Sequence, residues 1–355
     1  MKKTLLILFV VTLSSVTLNA QVLTSEDFTT LVVGNIGTDL TGATAGQGGW
    51  STYVASGSTN SANSNFAIAN VAGTNGNVIQ ITGSNAATGT RYLWKDGLPA
   101  LWTSRTTGND IIEVEYDIFT GPSTTSLNGF GVYLYSDETT PKAICGMRLD
   151  KNATISSVAY TNVIRGLSYY NNAGTLNTYI FGLGASATTP QVTLLDNTWY
   201  RVGFSFNKTT GEIKWKGPGI NGYVMGAALG LNPGEIDFVS TAGTANAVAA
   251  VGSFDNYIVT ATSADSLLET DELLISENNF TITPNPATDY LTISNPKNSL
   301  INSISITDLN GRTVKQLNFD TVSDLYVTIT DLQTGVYMLT INSDKGAITK
   351  KVIKL

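Results

Sequence analysis

Apolar and polar residues alternate one for one over much of the chain, in short runs separated by clusters of Gly, Asn, Ser and Thr. A period of two places successive side chains on opposite faces of a strand. Between residues 21 and 262 the clearest runs are NVIQITG (77–83), DIIEVEYDIF (110–119), GFGVYLYS (129–136), AICGMRLD (143–150), GLSYYN (166–171), TYIFGLG (178–184), WYRVGFSFN (199–207), GEIKWKG (211–217) and FDNYIVTAT (254–262). No 12-residue stretch keeps a helical period. Many short strands with no helices between them predict an antiparallel sandwich. Residues 263–279 are acidic, lack Lys and Arg, and read as a linker with room for one short helical turn. From residue 280 to 355 the alternation returns, with FTITPN, YLTISN, NSISITDLNG, RTVKQLNF, LYVTIT, GVYMLTINS and AITKKVIKL. About seven strands in that length fit a small immunoglobulin-like sandwich. The Asn310-Gly311 pair marks a hairpin between two of them. The chain is therefore expected to be all-β, a large antiparallel sandwich followed by a small immunoglobulin-like one.

Composition narrows the chemistry. Charged residues are only 13% of the chain, the net charge is −7, and no basic patch points to a nucleic acid. There is no histidine, which removes Ser-His-Asp and Cys-His catalysis and imidazole metal sites. The single cysteine, Cys145, forbids an intramolecular disulfide and lies in an apolar run, where it reads as a small core residue. Lys2 and Lys3 followed by the apolar stretch from Leu5 to about Leu13, with Ala20 before Gln21, read as a secretory signal peptide over residues 1–20. Leu18 departs from the small residue expected before the cut. No later segment has 18 uninterrupted apolar residues, so the mature protein is not expected to span a membrane.

The last 75 residues carry a specific likeness. PNPATDYLTI (284–293), ISITDLNGRTVKQL (304–317), LQTGVYMLTI (332–341) and ITKKVIKL (348–355) resemble, in order and spacing, the type A C-terminal sorting domain of the Bacteroidetes type IX (Por) secretion system. The resemblance implies export to the periplasm, recognition of residues 280–355 by the outer-membrane translocon, and an extracellular or cell-surface destination. Cleavage of the tail would then fall in the acidic linker, where exposed chain is accessible to proteases. Asp265-Ser266-Leu267 in that linker is similar to the short O-glycosylation motif of the same phylum.

Residues 21–262 resemble concanavalin A-like lectin/glucanase and laminin-G-like jelly rolls, through SEDF, DIIEVEYDIF, NTWYRVGFSFNKTTGEIKWKG and SFDNYIVTAT. The resemblance implies a jelly-roll sandwich and a polysaccharide or surface glycan as partner. Glu113, Glu115 and Asp117 alternate and so share one strand face. They are similar to the Glu-x-Asp-x-Glu strand of laminarinase-type hydrolases, with the middle Asp lengthened and the last Glu shortened. Retaining hydrolysis needs two carboxyls about 5–5.5 Å apart. The plainer reading is the polar face of a strand whose other face is core. Trp50, Trp94, Trp102 and Tyr170 are the candidate stacking platforms for a sugar, against the alternative that each is core. Glu26, Asp27 and Asp255 lie near the two ends of the domain and are candidates for a structural calcium site, though calcium takes six to eight oxygens. GPGING (217–222) satisfies Gly-x-Gly-x-x-Gly but precedes no helix, and reads as a loop. The leading expectation is a secreted, non-enzymatic glycan-binding or adhesive module. A glycoside hydrolase using Glu113, Glu115 and Asp117 and a purely structural surface protein are the alternatives.

Overall fold

The computed structural model describes residues 20–71, 73, 76–184, 186, 188–268, 280–294, 301–308, 312–322, 325–343 and 346–355. The expected signal peptide up to residue 19, linker residues 269–279 and the Asn310-Gly311 turn lie outside them. The chain divides into two compact units between Leu267 and Leu268.

Among the described residues the first unit holds seventeen strands. In chain order they are β1 (Gln21–Glu26), β2 (Gly34–Asn35), β3 (Trp50–Val54), β4 (Phe66–Asn70), β5 (Asn77–Thr82) and β6 (Arg91–Lys95). A single α-helical turn and a half, α1 (Leu98–Thr103), precedes β7 (Ile111–Phe119), β8 (Asn128–Ser136), β9 (Ala143–Ile155) and β10 (Val158–Asn172). Then come β11 (Thr175–Gly182), β12 (Val192–Thr193), β13 (Trp199–Asn207), β14 (Glu212–Gly217), β15 (Ile220–Val224), β16 (Pro233–Ala242) and β17 (Val251–Thr262). One sheet runs β15-β14-β13-β7-β17-β5-β4-β2, with β1 also on β17. The other runs β11-β10-β9-β8-β16-β6-β3, with β12 on β10. All pairings are antiparallel, and neighbours in space are often far apart in sequence, as in a jelly roll. The Gly-x-Gly-x-x-Gly stretch is the β14–β15 hairpin, with Gly219 in the left-handed region that the turn requires.

Alternation explains the layering. Ile112, Val114, Tyr116 and Ile118 of β7 point inward, and Glu113, Glu115 and Asp117 point away. On β8 the inward set is Phe130, Val132 and Leu134. The sheets meet through Phe254 and Phe238, whose rings are 5.1 Å apart, and through Trp50, which packs on Phe238, Phe28 and Tyr257. Cys145 is buried in this core. Trp215 is buried too, and its indole N–H donates to the Gly146 carbonyl at 2.8 Å.

Among the described residues the second unit has seven strands, β18 (Thr281–Thr283), β19 (Tyr290–Ser294), β20 (Ile301–Asp308), β21 (Thr313–Val322), β22 (Leu325–Thr328), β23 (Gly335–Ser343) and β24 (Gly346–Lys354). They form the sheets β18-β19-β22 and β21-β20-β23-β24. Leu291, Ile293, Ile304, Ile306, Val327, Leu339 and Ile341 fill the core between them. Among the described residues no helix is long and apolar enough to cross a membrane.

Candidate functional site

Two outer faces carry the chemistry of the first unit, and they differ. On the β7 sheet, register sets Ser205, Glu113 and Thr260 side by side, then Gly203, Glu115 and Ile258, then Arg201, Asp117 and Asp255. The three acids named from sequence do share one face, but each is committed. Glu113 accepts from the Ser266 backbone N–H at 2.6 Å, the Ser266 hydroxyl at 2.8 Å and the Thr260 hydroxyl at 3.3 Å. Glu115 pairs with Arg201 at 3.1 Å, and Asp117 accepts from Asn256 at 2.6 Å. Glu113 and Glu115 are 2% and 5% exposed, so a glycosidic bond has no approach to either. The hydrolase alternative calls for an open cleft, and these three acids lie on a covered strand face. Burial, opposed by the Ser266 hydrogen bonds, raises the Glu113 carboxyl to about 7.

What covers Glu113 is the start of the segment read as linker. Asp265 pairs with Lys214 at 2.7 Å and Lys216 at 3.5 Å. Lys216 also donates to the Leu267 carbonyl at 3.0 Å. Leu267 is fully buried, in space that Gly203 leaves free: a Cβ there would stand 2.8 Å from a Leu267 methyl. Residues 263–267 are thus a strap on this sheet. Ser266, the hydroxyl of the glycosylation-like motif, is held inside it. Burying one leucine stabilises by about 1.5–3 kcal/mol. A chain ending at Thr262 should therefore be less stable than one ending at Leu268, by about 2–3 kcal/mol in urea unfolding. Equal midpoints and slopes would show that the strap contributes nothing.

The calcium candidates do not make a calcium site. Glu26 faces Lys95 at 3.9 Å and accepts from the Phe28 N–H at 3.2 Å. Asp27 accepts from the Thr29 N–H and hydroxyl. Asp255 is buried, and burial together with the charges of Asp117 and Asp27 raises it to about 7. Among the described residues no group of three or more potential ligands is placed to hold a metal. The donor set does not fit the ion.

The outer face of the β8 sheet is built from rows that cross the strands. Ser51, Trp94, Asp237, Tyr133, Gly146 and Leu167 stand opposite one another in turn. The adjacent row is Tyr53, Tyr92, Val239, Gly131, Arg148 and Arg165. On the other side Glu235 stands opposite Tyr135. The Tyr53 and Tyr92 rings are 6.0 Å apart, and Tyr133 and Tyr135 are 6.4 Å apart. Glycines shape the floor. A Cβ on Gly131 or Gly146 would stand 2.8 or 2.7 Å from the Tyr133 ring, and one on Gly129 would meet Arg148 and Asp150 at 2.6 Å. Tyr133 and Arg148 therefore lie low along the sheet. Asp150 is bracketed by Arg148 and Arg165, whose Nε groups donate to it at 2.9 and 2.7 Å.

Of the four aromatic candidates, only Trp94 belongs to this face; it is half-buried, and its indole N–H donates to Asp96 at 3.0 Å. Trp50 and Trp102 are core residues, Trp102 lying beneath the Arg105 guanidinium at 4.0 Å. Tyr170 points to the inner side of β10 and packs edge-on against Phe181. Sequence reasoning missed Tyr53, Tyr92, Tyr133, Tyr135, Glu235 and Asp237. Their signal was present as alternation in STYV, RYLWK, GVYLYS and GEIDFV, where polar or aromatic residues interleave with inward aliphatic ones.

The unit carrying the aromatic face is a two-sheet antiparallel β-sandwich. Residues 281–355 match the family described as a secretion system C-terminal sorting domain, and they mark the chain as cargo of the type IX secretion system. No curated protein matches the chain. Similar solved structures include the CBM2 module of the evolved Dit of Lactobacillus casei BL23 phage J-1, at 10% identity and TM-score 0.39, covering 70% of this chain and 98% of that one. The Emp47p carbohydrate recognition domain is similar at 10% identity and TM-score 0.36, covering 64% and 94%. A structure described as concerning botulinum neurotoxin type C and its interaction with two ganglioside molecules gives 10% identity and TM-score 0.40, covering 86% and 69%. At these scores the likeness is one of general strand arrangement only.

Proposed function

We propose that residues 20–268 form a non-catalytic glycan-binding module carried to the cell surface or exterior by the sorting tail. One observation supports this reading above others: the outer face of the β8 sheet sets Tyr53, Tyr92, Trp94 and Tyr135 over a buried Tyr133, with the half-buried Arg148 and Arg165 guanidinium groups farther along the same face. A pyranose ring needs flat apolar surface for its C–H faces and planar hydrogen-bonding groups for its hydroxyls. Both types occur here on rigid strands. Tyr53 is 38% exposed and Tyr92 and Trp94 are half-buried, so their rings can be reached. The opposite outer face has its acids capped by the strap and by Arg201, which favours binding over hydrolysis.

The test is retention of the purified chain on insoluble and soluble polysaccharides, scored together with release of reducing ends. The expected result is retention without product. Tyr53→Ala and Tyr92→Ala should each weaken binding about tenfold, a loss of about 1.4 kcal/mol, with little change in unfolding midpoint. Retention unchanged in both variants would move the site elsewhere.

A further inference from the structure

Lys151 of β9, Asn162 of β10 and Asp196 of the loop after β12 meet in a chain of hydrogen bonds that neither the aromatic face nor the strap uses. In the β9–β10 register Thr161 stands opposite Asn152 and Val163 opposite Asp150, which puts Asn162 across from Lys151. Asp150 points outward, so alternation turns Lys151 toward the other sheet, where its Nζ donates to the Thr120 carbonyl just past β7. The same Nζ donates to the Asn162 Oδ1 at 2.7 Å. The Asn162 Nδ2 in turn donates to the Asp196 Oδ1 at 2.6 Å. Lys151 is 4% exposed and Asn162 2%. Asn162 has a φ of 43°, in the left-handed region that strand residues rarely enter. The loop carrying Asp196 is pinned on both sides. The Leu194 N–H donates to the Asn162 carbonyl at 2.9 Å, and the Thr120 hydroxyl donates to the Leu195 carbonyl at 2.7 Å and accepts from the Thr198 N–H at 2.9 Å.

A buried lysine is usually paired with a carboxylate. Among the described residues no ion pair involves Lys151. Burial lowers its pKa, opposed by the charge of Asp196, so the neutral amine is easier to reach than on a surface lysine. A desolvated neutral lysine is a nucleophile. The Oδ1 it touches is bonded to the electrophilic Cγ of the Asn162 carboxamide, and paired strands hold the two groups together at high effective concentration. We propose that Lys151 and Asn162 condense into an isopeptide bond that joins β9 to β10. Nζ attacks Cγ, the Nζ–Cγ bond forms, the Cγ–Nδ2 bond breaks, and Nδ2 leaves as ammonia. The proton that Nζ gives up passes to Nδ2, carried by the Asp196 carboxyl that touches that nitrogen. The step consumes no oxidant and no cofactor. Asp196 is exposed, which gives the ammonia a way out. The bond supplies a covalent crosslink to an exported chain whose single cysteine can form no intramolecular disulfide. It does not depend on the glycan-binding reading.

Tryptic mapping of the purified full chain, denatured before digestion, reads the bond directly by mass. In an unlinked chain trypsin cuts after Arg148, Lys151 and Arg165. An isopeptide removes the charge that trypsin needs at Lys151. The peptide spanning residues 149–165 should therefore survive uncut, one ammonia lighter than its sequence, with no fragment ions from inside the ring closed by Lys151 and Asn162. A peptide 152–165 of unchanged mass would overturn the proposal. So would an ammonia loss with the cut after Lys151 retained, because a succinimide at Asn152 or Asn162 gives that pattern. Asp196→Asn, on the exposed loop, should keep the wild-type far-UV spectrum and return peptide 152–165 at unchanged mass. Full crosslinking in Asp196→Asn would overturn the proton-carrying role given to Asp196.

Discussion

Replacing Trp50 by alanine should lower the unfolding free energy of the 20–268 unit by about 3–5 kcal/mol, the range for a large aromatic removed from a packed interior. Trp50 is 1% exposed and joins both sheets, with its ring 5.7 Å from Phe28, 5.6 Å from Phe238 and 6.3 Å from Tyr257. Deleting it leaves three aromatic rings facing a void that rigid strands cannot close, so both the transfer and cavity contributions are lost. The same change at Trp94 should cost far less, because that ring is half-buried on an outer face. Urea unfolding of the two variants checks the contrast. If Trp50→Ala matched wild type in stability while losing glycan retention, Trp50 would be a ligand platform and the two-sheet core described above would be wrong.

The second large effect is on pH. Glu113 and Asp255 titrate near 7 in the folded chain, against ordinary values of 4.5 and 3.8. Between those limits the folded state holds more protons than the unfolded state, so stability falls as pH rises. The contribution is fully present below about pH 4 and is lost as pH passes through about 7. Each group supplies about 3–4 kcal/mol over that window, since one pKa unit is 1.36 kcal/mol. Glu235 and Asp237 act in the same direction. The unfolding free energy should therefore be higher at pH 5 than at pH 8, opposite to a chain whose carboxylates are stabilised by salt bridges. Glu113→Gln should flatten the profile by its own share. A stability that rises from pH 5 to pH 8 would mean that Glu113 and Asp255 are not desolvated as the strap and the β7–β17 pairing place them.

The strand content was legible because alternation is local: one face of β7 reads directly from IIEVEYDIF, and the shared face of Glu113, Glu115 and Asp117 follows from spacing alone. Which face remains open is not local. The acid row is covered because Leu267, some 60 residues beyond Gly203 in sequence, fills the space above that glycine. The aromatic face was invisible for a similar reason. Tyr53, Trp94, Tyr133 and Asp237 come from four strands whose order, β3-β6-β16-β8, is not their order in the chain. Each alone is an ordinary outward strand residue, and only the register assembles them. Trp102 takes the core alternative because LPALWT, following Gly97, forms α1 and turns the indole inward. The tail, by contrast, matches its sorting family over residues 281–355, because its motifs lie in short contiguous segments.

The most direct test of the binding face uses the five tryptophans as reporters. Their indole N–H resonances, assigned by single Trp→Phe changes, are followed while a retained oligosaccharide is titrated into the labelled 20–268 unit. Trp94 should shift strongly, because its N–H donates to Asp96 on the proposed face. Trp50, Trp102 and Trp215, buried in the core, should move little. Trp199 packs at a tilt against Phe119 on the opposite outer face and should also stay in place. A shift at Trp199 with Trp94 unmoved would put the ligand on the acid-row sheet and contradict the account.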